Sequence, residues 1–219
     1  MDMVLTNPNT AERVTVGKIL CIGRNYALHA AEMNDAVPKQ PVIFLKPVTS
    51  LILTGDTVIL PVMSSEIHHE IEIVVMIGQG GKNIPIEVSL NHVAAYAIGL
   101  DMTARDLQSD AKEKGNPWSV AKGFDTFAPL GPLVPADQIK DPQSISMSLA
   151  VNGAIKQRGQ TNDMIFSVAS LISYCSDIFT LECGDLLYTG TPEGVGAVKH
   201  GDRLRATSDQ LPSLEVTVR

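Results

Sequence analysis

The chain has 219 residues, 44% apolar and 19% charged, enough for one globular domain with a sizeable core and too apolar for a disordered one. Its 17 Lys and Arg against 24 Asp and Glu leave a net charge of −7 with no basic run, so a nucleic-acid partner has no electrostatic source. The longest uncharged apolar-rich stretch of the second half, 164–176, is shorter than the roughly 20 residues a bilayer crossing takes, and no membrane partner is expected.

In chain order, residues 1–10 show neither a basic start before an apolar segment nor an Arg-rich presequence, so the expected location is cytoplasmic. The first fifteen residues read as a small appended strand. Apolar runs punctuated by Gly and Pro then predict strands at 18–22, 41–45, 57–60, 67–77, 94–100, 144–151, 185–188, 203–206 and 214–218. Asn152-Gly153, between the alternation of Ile145, Met147, Leu149 and Val151 and the segment 154–157, predicts a hairpin.

Helical spacing is confined to three segments. Residues 26–34 predict a short helix that stops before Pro38. Residues 103–114 are polar, with Asp106, Asp110 and Lys114 at steps of four, and predict an exposed helix ending at Gly115. Residues 164–176 set Ile165, Val168, Ala169, Ile172 and Cys175 on one face, with Asp163 as the expected cap. Because the strands are not separated by regular helices, a doubly wound parallel sheet is disfavoured and a mainly β, α+β fold is expected. Cys21, Cys175 and Cys183, an odd number at unpatterned spacing, fit buried reduced thiols better than disulfides or a zinc knuckle.

The most informative stretch is Ile67-His-His-Glu-Ile-Glu-Ile-Val-Val-Met-Ile77. In a strand, Glu70 and Glu72 share one face with Val74 and Met76, roughly 7 Å apart at the backbone, a span whose side chains converge on a cation. Two acids side by side in an apolar segment repel unless a cation neutralises them, although a solvated edge strand also alternates in this way. Asp101 closes the separate apolar run 94–100, at the mouth of a buried strand or as the cap of the next helix. Three carboxylates without an imidazole or thiolate partner favour a hard cation, Mg²⁺ or Mn²⁺.

His29 and Glu32, three apart, meet on one face of a helix. A carboxylate beside an imidazole orients it and raises its basicity, as a water-activating base requires. Lys46 and Lys122 end apolar segments, and Arg24, Arg105 and Lys122 are available to an anionic substrate or an oxyanion; each also reads as a snorkelling surface cation. The segment Tyr188-Thr-Gly-Thr-Pro-Glu-Gly-Val-Gly196 is a glycine-rich loop whose backbone can approach a ligand closely, without the Gly-Lys-Ser/Thr ending of a phosphate loop.

Taken together in this order, the segments resemble the fumarylacetoacetate hydrolase superfamily, close to its short acylpyruvase and oxaloacetate decarboxylase type. Gly-Arg-Asn-Tyr-Ala-Leu-His29, Phe-Leu-Lys-Pro47, His-His-Glu-Ile-Glu72, Leu-Asp-Met-Thr-Ala-Arg-Asp-Leu-Gln108, Pro-Trp-Ser-Val-Ala-Lys122 and the loop to Gly196 carry it. The resemblance implies a mixed β-roll with peripheral helices over 17–219, preceded by a short extension at 1–16, and a homodimer. It also implies Mg²⁺ or Mn²⁺ on Glu70, Glu72 and Asp101, and a catalytic pair of His29 and Glu32 on a helix that closes over bound ligand. Lys122 would polarise a carbonyl or hold an oxyanion, with Arg24, Arg105, Gln108 and Thr191 around the substrate. Larger members add an Asp just before the catalytic His; here the stretch Cys21-Ile-Gly-Arg-Asn-Tyr-Ala-Leu-His29 contains no acid.

The implied activity is a metal-dependent hydrolase cleaving a carbon–carbon bond in acylpyruvates or fumarylpyruvate, a decarboxylase of oxaloacetate, or both, through a metal-bound pyruvate enolate. Isomerisation or tautomerisation of a 2-oxo dicarboxylate uses the same enolate and stays open. Two other readings compete: a non-haem iron oxygenase using His68 or His69, Glu70 and His200, and a ligand-binding protein that keeps the fold without turnover.

Overall fold

The computed structural model describes residues 3–219. It is mainly β, a mixed β-roll with four short helices: α1 (Ala27–Glu32), α2 (Arg105–Lys114), α3 (Ser119–Lys122) and α4 (Val168–Ile178). The large sheet runs, in spatial order, Val42–Lys46, Ile19–Gly23, Leu186–Tyr188, Ile71–Ile77, Val93–Leu100, Ala128–Leu130 and Leu51–Leu53, with Val134–Pro135 also pairing Val93–Leu100. Two of its pairs are parallel, Leu186–Tyr188 with Ile19–Gly23 and Ala128–Leu130 with Leu51–Leu53. A second sheet orders Ala154–Gln160, Ser146–Val151, Arg203–Ser208, Leu214–Val218 and Thr57–Val58.

Every residue of Ile71–Ile77 and Val93–Leu100 is buried, because both faces of the large sheet are covered. On one face, Ile71, Ile73 and Val75 join Met147, Leu149, Leu204 and Leu214 of the second sheet and Leu171 and Ile172 of α4. On the other, Val74 and Met76 pack with Cys21, Ala95, Ala97, Leu186 and Tyr188. A strand buried on both faces cannot be a solvated edge, so the bland explanation of Glu70 and Glu72 fails.

Register positions the third acid. Ile71 pairs with Leu100 and Glu72 with Gly99 in antiparallel order, and the Asp101 N–H donates to the Glu70 carbonyl at 2.8 Å. Asp101 therefore lies directly across from Glu70 with its side chain on the same face. Gly99, opposite Glu72, has no room for a side chain: a Cβ there would come within 2.5 Å of Val74 and 2.6 Å of the Tyr188 ring.

Several expected boundaries moved. The strand expected over 67–77 breaks at Glu70 into Ile67–His69, which pairs with Thr103–Ala104 and Gly196–Ala197, and Ile71–Ile77. The helix expected over 164–176 begins at Val168, and its cap is Ser167, whose oxygen accepts from the Ser170 N–H, in place of Asp163. Residues 161–163 instead form a single 3₁₀ turn. α2 ends on Gly115 at φ +66° as expected, but Arg105, Gln108 and Ala111 are buried, so it is exposed on one side only. The Asn152-Gly153 hairpin forms, with both residues at positive φ as a type I′ turn requires. The first residues form a hairpin of Val4–Thr6 and Arg13–Thr15. Cys21 and Cys175 are buried and free; Cys183 is free but exposed, contrary to the expectation for all three.

Candidate active site

Glu70, Glu72 and Asp101 each offer an oxygen within 4.8 Å of the others, and all three are buried. Glu70 comes from the break between two strands, Glu72 from the centre of the sheet and Asp101 from the end of the neighbouring strand. Lys122, the last residue of α3, places Nζ 2.8 Å from Glu70 Oε2 and 2.6 Å from Asp101 Oδ2. Arg105, the first residue of α2, pairs with the other Glu70 oxygen and donates to Gln108 one turn on.

Lys46 is a buried ammonium among four oxygens: Asp101 Oδ1 at 2.7 Å and the carbonyls of Met102 at 3.0 Å, Lys122 at 2.6 Å and Phe127 at 2.9 Å. The reading of Lys46 and Lys122 as snorkelling surface cations is therefore wrong; both are interior and paired. The sign available in the sequence was a lysine on the same strand face as Val42 and Phe44, both of which are half-buried.

The charges are unevenly shared. Burial alone would raise Glu70, but Lys122 and Arg105 overcome it and hold its carboxyl well below the usual range. Burial would lower Lys122, and Asp101 and Glu70 raise it instead. Glu72 goes the other way: burial, then the charges of Asp101 and Glu70, push it well above the ordinary value, against the Gly190 N–H at 2.7 Å. Among the described residues no lysine or arginine pairs with Glu72. An all-oxygen, buried donor set with one uncompensated carboxylate fits a hard divalent cation.

His29 on α1 is buried and faces the same cleft. Its Nδ1 meets Glu32 Oε2 at 3.1 Å, and the Gly194 N–H donates to Glu32 at 3.0 Å. The glycine-rich loop thus turns its N–H groups toward Glu72 and Glu32. Gly190, at φ +98°, permits this, since a Cβ there would lie 2.6 Å from that of Asn25. Arg24, Arg105, Gln108 and Thr191 line the cleft as well, so every site residue expected from the sequence lies in or beside it. The cleft is narrow, with about 30 Å³ free, on the order of one or two waters.

Three further residues had no distinctive pattern in the sequence. Gln157, from the second sheet, is 1% exposed; its Oε1 accepts from His69 Nδ1 at 2.9 Å and the Ile71 N–H at 3.1 Å. Its Nε2 donates to the Thr191 hydroxyl and the Pro192 carbonyl, both at 2.9 Å. Asp35 and Lys112 line the cleft and pair with each other at 2.9 Å.

The iron-oxygenase ligand set is not assembled. His69 bonds Gln157, and His68 lies between Glu66 at 2.8 Å and Arg105 at 3.4 Å. His200 is exposed on a turn. Among the described residues the metal-competent group is made of carboxylates alone.

The fumarylacetoacetate hydrolase C-terminal family pattern matches residues 18–219. The chain belongs to the fumarylacetoacetate hydrolase family. A mitochondrial oxaloacetate tautomerase of Arabidopsis thaliana is 47% identical over 92% of this chain and 90% of its own length. A mitochondrial oxaloacetate decarboxylase of Dictyostelium discoideum is 49% identical over 86% of this chain and 87% of its own. The crystal structure of a Pseudomonas aeruginosa fumarylpyruvate hydrolase, in complex with Mn²⁺ and pyruvate, superposes with a TM-score of 0.93 at 43% identity, covering 99% of this chain and 95% of that one. The relatives matched by sequence carry tautomerase and decarboxylase names, and the solved structure carries a hydrolase name. No helix among the described residues is long and apolar enough to cross a membrane.

Proposed function

We propose that this chain is a divalent-metal-dependent enzyme of 2-oxo acids whose principal reaction is hydrolysis of the carbon–carbon bond of an acylpyruvate such as fumarylpyruvate. The observation that carries this is the convergence of three buried carboxylates, a lysine shared between two of them, and the His29–Glu32 pair around one cleft. The likeness to the Pseudomonas aeruginosa fumarylpyruvate hydrolase, which extends over 99% of the chain, supports the hydrolytic reading. Glu70, Glu72 and Asp101 would hold Mg²⁺ or Mn²⁺, which would supply a Lewis acid for a 2-oxo acid substrate.

The protein's own groups do the rest. With Nδ1 of His29 engaged by Glu32, its Nε2 is the nitrogen left to take a proton from water, and Glu32 steadies the resulting imidazolium. The hydroxide forms a bond to the distal carbonyl carbon. Lys122 has three N–H donors, of which Glu70 and Asp101 occupy two, and the third is available to the tetrahedral oxyanion. When the carbon–carbon bond breaks, its electron pair passes to the pyruvate fragment, which takes up a proton; the products are pyruvate and a carboxylic acid. Because the Gln157 amide donates to the Thr191 oxygen, the hydroxyl hydrogen of Thr191 is left to donate to a substrate oxygen.

Oxaloacetate tautomerisation or decarboxylation is the second reading, favoured by the 47% and 49% identities to enzymes so named. A proton moved at the carbon beside the keto group uses the same His29. Assay of metal-supplemented protein against fumarylpyruvate, acetylpyruvate and oxaloacetate separates the two: pyruvate release from the first pair supports the hydrolase, and turnover of oxaloacetate alone overturns it. The homodimer and cytoplasmic location are further parts of this reading, checked by solution mass and by fractionation.

A further inference from the structure

Arg24, Asp35 and Lys112 line the same cleft as Glu70, Glu72 and Lys122, but their charges are arranged differently. The Asp35 carboxylate meets Arg24 Nε at 3.0 Å and Lys112 Nζ at 2.9 and 3.0 Å. Two cations thus share one carboxylate, which leaves an excess of positive charge there. Around the metal-competent group, by contrast, Lys46, Lys122 and Arg105 stand beside a cluster of three carboxylates, Asp101, Glu70 and Glu72.

An aromatic wall connects the two places. Lys122 Nζ stands 4.9 Å from the Phe44 ring centroid, Phe44 lies 5.6 Å from Trp118, and the Arg24 guanidinium lies 5.8 Å from the Trp118 ring. Arg24 is held at φ +60°, a left-handed conformation that disfavours a residue with a side chain. Asp35 follows α1 closely, and its N–H donates to the Ala30 carbonyl at 2.8 Å, so it is tied to the helix that carries His29.

We infer that Arg24 and Lys112 form a second carboxylate-binding end of the cleft, which selects 2-oxo acids bearing a distal carboxylate, with Asp35 as an internal stand-in for that group. This rests on the reading of the cleft as a 2-oxo acid site. With about 30 Å³ free, a substrate enters only as side chains withdraw, and withdrawing Asp35 leaves two cations unanswered. A dicarboxylate replaces the lost anion; a 2-oxo acid with an uncharged tail does not. The flat faces of Phe44 and Trp118 suit the planar, conjugated chain of an unsaturated dioxo acid in between.

The test compares wild type, Lys112→Gln and Asp35→Asn, each with Mn²⁺, on fumarylpyruvate and on acetylpyruvate, which lacks the distal carboxylate. Lys112→Gln lowers the ratio of kcat/KM for fumarylpyruvate to that for acetylpyruvate by about tenfold, the size of one charge-assisted contact, through KM for fumarylpyruvate. Asp35→Asn lowers that KM, because the competing carboxylate is gone. An unchanged ratio in Lys112→Gln, or equal losses on both substrates, overturns the inference. If wild type turns over neither substrate, the hydrolase reading fails, and the subsite is then judged by binding. Thermal protection by 2-oxoglutarate in excess of that by 2-oxobutyrate, lost in Lys112→Gln, sustains it; equal protection by the two acids overturns it.

Discussion

Gln157 donates from Nε2 to the Thr191 hydroxyl at 2.9 Å while its Oε1 accepts from the Ile71 N–H, between Glu70 and Glu72, at 3.1 Å. One buried amide from the second sheet thereby ties the strand that carries two of the carboxylates to the loop that faces the substrate. Gln157→Leu removes both connections. The expected result is a KM for the 2-oxo acid raised about tenfold, the scale of a lost oriented hydrogen bond, with a smaller change in kcat. Combined with Thr191→Val, the two losses are less than additive, because both break one contact. Fully additive effects would show that Gln157 acts elsewhere.

Lys46 answers a different question, since its ammonium is enclosed by oxygens and faces no free volume of the cleft. Lys46→Met leaves Asp101 and three carbonyls short of a partner in the interior. Stability falls by about 3–5 kcal/mol, as for other buried charge pairs broken on one side. Chemical denaturation of the two proteins measures it, and a change under 1 kcal/mol would show that the buried cation is dispensable.

His29→Ala separates the reactions. Hydrolysis needs a base for water, so its kcat falls about 10²–10⁴-fold, whereas loss of carbon dioxide from oxaloacetate needs no water attack and falls less. Parallel assays on fumarylpyruvate and oxaloacetate with metal at saturation read the difference. Full hydrolytic activity in His29→Ala removes the residue from the mechanism.

Asp106 supports a pH prediction. Its carboxylate accepts from Ser64 Oγ at 2.5 Å, Ser65 N at 2.8 Å and Leu107 N at 2.8 Å, joining the loop before Ile67–His69 to the start of α2. Its slight burial opposes the charged form, but these donors outweigh it and lower its pKa below the ordinary aspartate value. A depressed carboxylate stabilises the fold above its unfolded pKa and loses that contribution as pH falls through its folded pKa. Asp106→Asn therefore has a lower Tm than wild type near neutral pH, and the gap closes below about pH 4. A gap that does not vary with pH would assign the effect to packing.

Much of this site can be traced to sequence, and the exceptions have physical reasons. The alternation expected of a strand sets Glu70 and Glu72 on one side, and the two carboxylates do meet although the strand breaks at Glu70, while the spacing of His29 and Glu32 makes them neighbours on a helix. That Asp101 joins the first two depends on cross-strand register, which neither strand specifies alone. The pairing of His29 with Glu32 is supported from far along the chain, by the N–H of Gly194. Gln157 lies in a strand whose pattern is mostly exposed, and nothing local distinguishes it from Arg158. Lys46, Asp35 and Lys112 acquire their partners only through tertiary packing, so their composition reads as surface charge. The start of α4 moved because Ser167 supplies the side-chain cap, where Asp163 had the same chemistry four residues earlier.

Metal dependence is the central claim, and titration of chelator-stripped protein with Mn²⁺ while following fumarylpyruvate hydrolysis tests it most directly. Activity absent in the stripped protein returns saturably with Mn²⁺ in wild type and does not return in Glu72→Gln, which keeps the size of the side chain but removes the carboxylate with which no lysine or arginine among the described residues pairs. Undiminished hydrolysis without metal, or recovery in Glu72→Gln equal to wild type, would contradict the account.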